Sequence, residues 1–514
     1  MKAEVKYKGA IKLSAIGDAL GWITEFEKDK YSLLRKFNID YIQSFLNWEK
    51  NVGGRFYGYI DNIKAGSYSD DTQLLLAVAR SIKANGNVDN NYFGKIELLN
   101  WLNYARGGGR TVKVASEKIQ RKSIKWYNNF YSFKVKDAIY DYKNSGANGA
   151  AMRILPIALA NLGNIEKIKE EIFCNSIVTH GHPRAILGAM LYGYVINSII
   201  TFQPDNFNWE SFLIQIGTNF QNNFDISFIK NRLELKEWLN KWNKTSNVTF
   251  EEEYDKTLKE TQDYLRLIYK SIKEGVDLKK TIERLGCFTS ETKGSGISTV
   301  VAAIYLSLKY YSNPIQAILE AVNLLGTDTD SIAAFTGGLI GALYGQNIIP
   351  EKWKKVQDIG YLDKVALYLL AVSEDRCNEN LSITTDIYNR TNNIITIDDF
   401  EVDNEFIFYP FGKGKITSIE RQYTLTKGKY YLLLNIDFEI GQSILISKLL
   451  DDNTLIRRKI DKSLDCEKAS YDNMLKLAKE KLSDSLFQEF SSYFSKYNND
   501  NRLIELLEHI FEFI

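Results

Sequence analysis

Apolar residues recur at helical spacing through most of the chain, from Gly9 to about Ser373. Several segments keep this spacing for more than three turns, and some are small and apolar on every face, as buried helices are. Residues 202–280 are more polar and richer in aromatic side chains. The pattern predicts an all-α body over residues 1–375, with 202–280 as a helical elaboration and few strands. The clearest helical segments are 72–82, 150–162, 182–200, 296–311 and 314–325.

The pattern changes after about Asp375. Residues 377–393 are polar and indicate a linker. Between about 390 and 460, short β-branched and aromatic runs alternate with turns that contain Gly412, Gly414, Gly428 and Gly441. Runs of this length between glycine turns predict a small β-rich module, a meander or a barrel. Helical spacing returns over residues 461–514, which we interpret as a helical tail.

Composition narrows the class of protein. The chain has 514 residues, 45% of them apolar, and a net charge of +1; a multidomain globular protein is expected and a general polyanion binder is not. Four dispersed cysteines and three histidines argue against a zinc site or a disulfide framework. No run approaches the roughly 20 apolar residues of a membrane span, and the start lacks a signal-peptide pattern. We therefore expect a cytoplasmic protein that does not contact membranes.

Two pairs of aspartates lie where helices should begin. Asp70 and Asp71 stand in SYSDDTQL, and Asp328 and Asp330 stand in GTDTDSIAA. Capping is the commonest use of an aspartate at such a place, so all four could be caps. One cap needs only one side chain, however, and each pair also has hydroxyl neighbours. Hard-oxygen clusters suit Mg²⁺, Mn²⁺ or Ca²⁺, and two clusters meeting across a helical body could hold a pair of ions.

Other stretches carry weaker signals. GDALGWITEF, residues 17–26, combines Asp18 and Glu25 with glycines that allow close backbone approach. NSGANGAAMRILP, residues 144–156, and ARGGGRTVKVA, residues 105–115, could offer N–H groups to a diphosphate. Taken alone, each of these two is better explained as an ordinary turn. His180 and His182 lack the further ligands of a zinc site, and we expect a polar contact from one of them.

Taken together, these motifs resemble the ADP-ribosylglycohydrolases, the group that includes the dinitrogenase-reductase-activating glycohydrolase. The shared order is GDALG…E, SDDTQ, GxG, NGAAMRxxP, THxxPxA and GTDTDSIAAxxGxLxGAxxG, and it covers Gly9 to about Gly345. The two aspartate motifs are highly specific as a pair. The resemblance implies an all-α fold with a centre of two Mg²⁺ (or Mn²⁺) ions.

The resemblance also implies roles for individual residues. Asp71 and Glu25 are the candidates for moving a proton, with Glu25 on a mobile loop. His180 would contact the ligand. The metal ligands would be Ser69, Asp70, Asp71, Asp328, Asp330 and Ser331. The residues around the diphosphate and the distal ribose would be Gly107, Gly109, Ser145, Gly146, Asn148 and Gly149.

This sequence departs from the family pattern at a few positions. Ile23 stands where many relatives have proline, and Thr327 stands where many have glycine. Serine replaces threonine at Ser69 and Ser331, which keeps an oxygen ligand at both positions.

The implied reaction is hydrolysis of the N- or O-glycosidic bond at C1″ of ADP-ribose, on a modified macromolecule or small molecule. Two other functions stay open. The chain could be a catalytically inactive regulatory protein that binds ADP-ribose, although its metal acids are intact. It could also be a structural or regulatory protein in which the β module is the working part.

The β module combines aromatic and basic residues and has no cluster typical of catalysis. Such a surface suits contact with a protein or a nucleic acid, and we expect the module to select the modified target. The alternative is that the aromatic rings pack the module against the body. The aromatic residues are Tyr409, Phe411, Tyr423 and Tyr430, and the basic ones are Lys413, Lys415, Arg421, Lys427 and Lys429.

Overall fold

The computed structural model describes residues 1–135, 138–244, 246–382, 401–451, 478–479 and 481–494. Most of the described chain is helical. In chain order the helices are α1 (Ala3–Thr24), α2 (Lys30–Phe37), α3 (Gly54–Tyr57), α4 (Asp70–Ser81), α5 (Asn90–Tyr92), α6 (Leu98–Trp101), α7 (Arg110–Ile119), α8 (Leu155–Ala160), α9 (Ile165–Ser176), α10 (Pro183–Ile199), α11 (Trp209–Gly217), α12 (Phe220–Asn223), α13 (Leu233–Lys244), α14 (Phe250–Lys273), α15 (Leu278–Arg284), α16 (Gly296–Lys309), α17 (Pro314–Val322), α18 (Thr329–Tyr344), α19 (Ile359–Ser373) and α20 (Asp484–Phe494).

The strands form small sheets. β1 pairs with β2, and β3 pairs with β4 in an antiparallel register that places Ser132 opposite Asp141. A four-stranded sheet has the order β5-β6-β7-β8, and its first two strands are antiparallel. The strands are β1 (Trp48–Val52), β2 (Tyr59–Ile63), β3 (Ser132–Val135), β4 (Ala138–Asp141), β5 (Glu405–Phe408), β6 (Gly412–Tyr423), β7 (Lys429–Phe438) and β8 (Ser443–Asp451).

The helical prediction for the body is confirmed in most places. Helices α4, α10, α16 and α17 lie where the spacing predicts them. The predicted helix over 150–162 is shorter, because a 3-10 turn over Ala151–Arg153 precedes α8 and Pro156 lies in the first turn of α8. Proline has no N–H to continue an earlier helix, so it starts a new one.

The expectation of a wholly α body is wrong at two places. The pairs β1-β2 and β3-β4 both lie within the first 150 residues. Their strands have four or five residues each. Alternation over so few residues is too weak a signal to separate from a loop.

The described chain divides into two compact units. Among the described residues, the first comprises those within 1–52, 60–420 and 433–448, and the second comprises those within 53–59, 421–432 and from 449 onward. In the second unit, Thr426 donates from both its N–H and its hydroxyl to the carbonyl oxygen of Phe56. The predicted boundaries at 375, 390 and 460 stay predictions, because residues 383–400 and 452–477 lie outside the described part. The same holds for the helical tail, of which α20 is described.

The core of the first unit is built around α1 and α18, which pack against each other, with α10 and α16 against α18. Every residue of α18 from 329 to 343 is buried. Glycine makes this packing possible. A Cβ on Gly337 would overlap the carbonyl oxygen of Leu13, and one on Gly17 would overlap that of Ala333. The two backbones therefore touch, as the glycines of both motifs predict.

A buried arginine of α4 binds two residues at turns beside the four-stranded sheet, within the first unit. The Arg80 guanidinium donates to both oxygens of Glu97 at 2.8 Å, and to Oε1 of Gln442 at 2.5 Å. It also lies 4.7 Å from the ring centre of Phe411. Glu97 is as buried as Arg80, and breaking a buried pair leaves one uncompensated charge. These contacts make the sheet part of the first unit's framework.

The expectation that the aromatic residues of this module are exposed is wrong for three of four. Tyr409, Phe411 and Tyr430 are 4%, 0% and 2% exposed, and only Tyr423, at 70%, is open to solvent. The packing alternative explains Tyr409 and Phe411, whose rings contact Tyr92 and Tyr104 of the first unit, because burying an aromatic ring removes a large apolar surface from water. Along the described residues, no helix combines the length and apolar character needed to cross a membrane.

We predict that Gly337→Ala destabilises the protein and that Gly360→Ala does not. The new Cβ at 337 would overlap the backbone of α1, whereas at 360, in α19, it would meet no atom within 4 Å. Alanine in an open helical position should instead stabilise by about 0.5–1 kcal/mol. Thermal unfolding of the two variants checks this. Equal midpoints would contradict the close packing of α1 and α18.

Candidate active site

The end of α1 and the start of α18 meet in the first unit. Glu25 directly follows α1, Asp328 directly precedes α18, and Asp330 lies in the first turn of α18. Each of these three residues offers a carboxylate oxygen, and these oxygens lie within 4.8 Å of one another. The backbone contact between α1 and α18 brings the end of one helix beside the start of the other.

The start of α4 reaches the same place. The Ser331 hydroxyl of α18 donates to Oδ2 of Asp71 at 2.7 Å, which joins the two aspartate motifs directly. Asp18 of α1 holds α4 from the other side: its carboxylate accepts from Ser69 N at 3.1 Å, from Thr72 N at 3.0 Å and from Thr72 Oγ1 at 2.6 Å. The two motifs therefore meet as predicted.

Capping does not account for these acids. The side-chain cap of α4 is Ser69, which accepts from Asp71 N at 3.3 Å. The next backbone N–H of that turn, that of Thr72, donates to the Asp18 carboxylate. Asp328 occupies the cap position of α18, but its side chain makes no cap hydrogen bond. Asp330 accepts from Ser331 N at 2.9 Å.

Burial and mutual repulsion raise the pKa values of the cluster. Burial, then the charge of Asp330, raises the pKa of Asp70 to about 7. For Asp18, burial outweighs its hydrogen bonds, and its pKa is raised to about 6. The pKa values of Glu25 and Asp328 are raised well above the usual range by burial and by Asp330. The helix N-termini of α4 and α18 offset only part of this repulsion.

The donor set fits a divalent cation. It consists of carboxylate and hydroxyl oxygens, which are the ligands that Mg²⁺ and Mn²⁺ prefer. Two other hydroxyls of the motif have structural partners: Thr327 donates to Leu324 O and Thr329 donates to Gly21 O. The residues that could hold ions are Ser69, Asp70, Asp71, Asp328, Asp330, Ser331 and Glu25.

Glu25 is the first residue of the short segment 25–29 that connects α1 and α2. It directly follows the 22-residue helix α1 and keeps helical backbone angles, and the mobility of this segment stays a prediction. The side chain is half-buried. Lys50 of β1 lies beside it, with Nζ 4.1 Å from the ring centre of Phe26, and its charge opposes the rise in the pKa of Glu25.

A cavity of about 300 Å³, here called the loop cavity, lies past Asp328. It is lined by Ser145 and Gly146, among others. Gly294 also lines it, and a Cβ on that glycine would lie 3.0 Å from Oδ2 of Asp328. Asn148 does not line the cavity as Ser145 and Gly146 do. Its Nδ2 donates instead to the same Asp328 oxygen at 2.8 Å.

The loop that precedes α7 runs from the acids to this cavity. Gly107 has a φ of +99°, and a Cβ there would lie 2.7 Å from Oδ1 of Asp70. Gly109 is the N-cap residue of α7, and Thr111 in its first turn lines the loop cavity. Both predicted glycines thus lie along the site, Gly107 at the acids and Gly109 at the helix N-terminus.

The predicted ligand-contacting histidine lies behind the loop. His180 is fully buried, its Nδ1 is 2.8 Å from Thr179 Oγ1, and a Cβ on Gly149 would lie 3.1 Å from its Nε2. Burial lowers the pKa of His180 well below its usual value, so the ring is neutral. His182 lines the cavity instead, and its Nδ1 accepts from Arg184 N at 3.0 Å.

The sequence analysis named Asp18 but gave it no role at the site, whereas the structure shows that it binds the first turn of α4. The sequence analysis did not single out three lysines near the acids. No motif pointed to the role of these lysines, whose charges oppose the raised pKa values of Asp70 and Asp328. They are Lys50, Lys113 and Lys293. Their positions follow from tertiary packing.

Comparison with known proteins identifies relatives over most of the chain. A family model described as ADP-ribosylglycohydrolase matches residues 1–379. The ADP-ribosylarginine hydrolase Tri1 of Serratia proteamaculans is 23% identical over 357 residues, which is 68% of this chain and 74% of that protein. The ADP-ribosylhydrolase ARH3 of Xenopus tropicalis is 25% identical over 382 residues, 70% of this chain and 92% of its own.

A shorter match has higher identity. The ADP-ribosyl-dinitrogen reductase glycohydrolase of Rhodospirillum rubrum is 31% identical over 192 residues, which is 37% of this chain and 57% of that protein. The chain therefore spans little more than half of this relative.

We predict opposite effects of two substitutions on the stability of the chelator-treated protein. Asp70→Asn removes one charge from a crowded buried cluster, so the thermal midpoint should hold or rise. Asp18→Ala leaves buried N–H groups of α4 without acceptors, at a cost of about 1–3 kcal/mol each, so the midpoint should fall. Thermal unfolding in the presence of a chelator measures both. A fall with Asp70→Asn as large as that with Asp18→Ala would mean that Asp70 is a structural cap.

Proposed function

The chain belongs to the ADP-ribosylglycohydrolase family, and we propose that it releases ADP-ribose from a modified target by hydrolysing the bond at C1″, with the help of divalent cations. Membership of this family supports the view that the protein is an enzyme that hydrolyses glycosidic bonds of ADP-ribose. Relatives named for ADP-ribosylarginine and for ADP-ribosyl-dinitrogen reductase suggest a modified protein as the target. The cation requirement rests on the carboxylates.

One observation carries the proposal. The carboxylates of Glu25, Asp328 and Asp330 are gathered within 4.8 Å, and Ser331 ties Asp71 to the same place. Gathered like charges need a compensating proton or cation. When bound, Mg²⁺ or Mn²⁺ ions would supply Lewis acidity and orient the ribose hydroxyls. Their ligands would be Ser69, Asp70, Asp71, Asp328, Asp330 and Ser331.

The loop cavity suits the ADP part of the substrate. The N-terminus of the ten-residue helix α7 contributes Thr111 to its wall, and free N–H groups at a helix N-terminus favour a phosphate. Phe133 and Tyr140 also line it, with ring centres 5.6 Å apart and planes 16° apart. Tyr140 is 46% exposed, which leaves an aromatic surface on which a purine can stack. ADP-ribose bound this way would present its distal ribose to the acids beside Gly294.

Glu25 is the better placed of the two candidates for moving a proton. Asp71 is 4% exposed and accepts a hydrogen bond from Ser331, which fixes its carboxylate. Glu25 is half-buried and so more open to water than Asp71. With cations bound at the acids, Glu25 would be in its carboxylate form. In the reaction, water attacks C1″ and gives its proton to that carboxylate, the C1″–N or C1″–O bond breaks, and the leaving group takes up the same proton from Glu25, directly or through water.

The test is incubation with ADP-ribosylated arginine, serine and nucleic-acid substrates in Mg²⁺ or Mn²⁺, with free ADP-ribose as the readout. We predict that wild type releases ADP-ribose from at least one of them and that Asp328→Asn abolishes release. Glu25→Gln should lower the rate by about 10²–10⁴-fold, the usual contribution of an acid or base, with a smaller effect on cation affinity. Glu4→Gln, on the exposed start of the same helix, is the matched control.

Three results would contradict this proposal. Near-normal turnover by Asp328→Asn would mean that the acid cluster is not the site. Equal losses of rate and cation affinity in Glu25→Gln would make Glu25 a ligand only. Heat protection by ADP-ribose with no turnover on any substrate would favour the binding protein over the enzyme.

A further inference from the structure

A second cavity, here called the sheet cavity, lies in the first unit where β2 and the following loop face the four-stranded sheet. Its volume is about 550 Å³, larger than the loop cavity. Asp61 and Ser67 line one side, and Thr417, Asn435 and Asp437 of the sheet line the other. No proposed step of the reaction uses it.

Two short stretches of chain link the sheet cavity to the acids. Ser67 lies three residues before Asp70, a span of at most about 11 Å for an extended chain. Arg106 lines the sheet cavity, and the next residue, Gly107, lies against Asp70. Thr111, five residues after Arg106, lines the loop cavity. One short loop therefore passes the sheet cavity, then the acids, then the loop cavity.

This order assigns the two cavities to opposite ends of a substrate. If the ADP part fills the loop cavity and C1″ lies at the acids, the group attached to C1″ leaves toward Arg106. That group is the modified residue, and the chain on either side of it must continue outward. The sheet cavity is the space into which it continues.

The lining of the cavity favours a polypeptide over a nucleic acid. Its walls carry hydroxyl and amide side chains that can bond to peptide groups, among them Thr417, Asn435 and Ser443. Three carboxylates stand against two cations, so the lining has a net negative charge, and phosphates would be repelled. The cations are Lys64 and Arg106, and the carboxylates are Asp61, Glu420 and Asp437.

One of the two cations is already neutralised. Arg106 donates from Nε to Oδ2 of Asp61 at 3.0 Å and from Nη2 to Oδ1 at 2.6 Å. Such a two-point pair is held firmly. The carboxylates of the sheet, of which Asp437 is exposed, then give the cavity its charge preference.

We propose that the sheet cavity binds the polypeptide segment that flanks the ADP-ribosylated residue and favours segments carrying Lys or Arg. This inference rests on the proposed function, since it needs the scissile bond to lie at the acids. It gives the four-stranded sheet a role in choosing the target. A residue two to four positions from the modified one would reach the cavity at about 3.3–3.6 Å per residue.

The experiment uses three substrates: a free ADP-ribosylated amino acid, a peptide carrying the same modified residue flanked by lysines, and the matching peptide flanked by glutamates. We predict that wild type cleaves the lysine peptide at least about tenfold more efficiently than the glutamate peptide, equivalent to about 1.4 kcal/mol. Asp437→Lys should abolish or reverse this preference. Thr417→Trp, at an exposed position of β6, should fill the cavity and lower kcat/KM for both peptides.

The free amino acid separates this inference from the proposed function. Both variants should cleave it at the wild-type rate, because the sheet cavity is not part of the catalytic machinery. Glu439→Lys is the matched control: it makes the same charge change beside β7, at a residue outside the cavity lining, and should leave the peptide preference intact.

Each other outcome overturns a defined claim. If the enzyme cleaves the free amino acid and cleaves both peptides with equal efficiency, the sheet cavity is not a docking site. The proposed function would still stand. A loss of preference in Glu439→Lys as large as in Asp437→Lys would reduce the effect to general surface charge. A preference for an ADP-ribosylated oligonucleotide over both peptides would assign the cavity to nucleic acid. Failure to cleave any substrate would overturn the proposed function and this inference with it.

Discussion

Mutual repulsion among buried carboxylates is the constraint on which the first unit depends. Acids from α1, α4 and α18 converge, and burial raises their pKa values together. The N-termini of α4 and α18 favour negative charge, whereas Glu25 lies at the C-terminal end of α1, where the helix dipole opposes it. Hydrogen bonds from Ser331 and Asn148 position the acids, but they do not remove their charge. On the proposed function, a bound cation would remove that charge, and the helices of the body would hold its ligands in place.

Holding repelling groups together requires a stiff framework. Direct backbone contact between α1 and α18 fixes Asp18, Asp328 and Asp330 relative to one another, and glycine at 17 and 337 permits that contact. Helix α4 is fixed at both ends. Asp18 binds its first turn, and about 15 Å further along the helix, Arg80 binds Glu97 and the sheet. The sheet therefore bears on the site twice, through the position of α4 and through the proposed docking cavity.

Much of the body could be predicted from the sequence, because buried helices leave a long periodic pattern. The meeting of the two aspartate motifs was also predictable, since a second acid at a helix start exceeds what a cap needs. Short strands such as β1 and β3 were not, because their alternation is too brief. The resemblance placed Glu25 on a loop, and Glu25 is the first residue after α1. The preceding glycines, Gly17 and Gly21, lie within α1 and allow its close contact with α18. Tyr409 packs against Tyr92, and Phe411 packs against Arg80 and Tyr104. These partners are more than 300 residues away in the chain, and no local pattern reports such a contact.

Adding cations to the chelator-treated protein tests directly whether the clustered carboxylates bind a divalent ion. The thermal midpoint would be followed as Mg²⁺ or Mn²⁺ is added to wild type and, in parallel, to Asp328→Ala. A ligand that binds only the folded state raises its stability as RT ln(1 + [L]/Kd). We expect the midpoint to rise with ion concentration in wild type and to stay nearly flat in Asp328→Ala. A wild-type midpoint that ignores millimolar divalent ions, or an equal rise in both proteins, would contradict the gathering of these carboxylates for a cation.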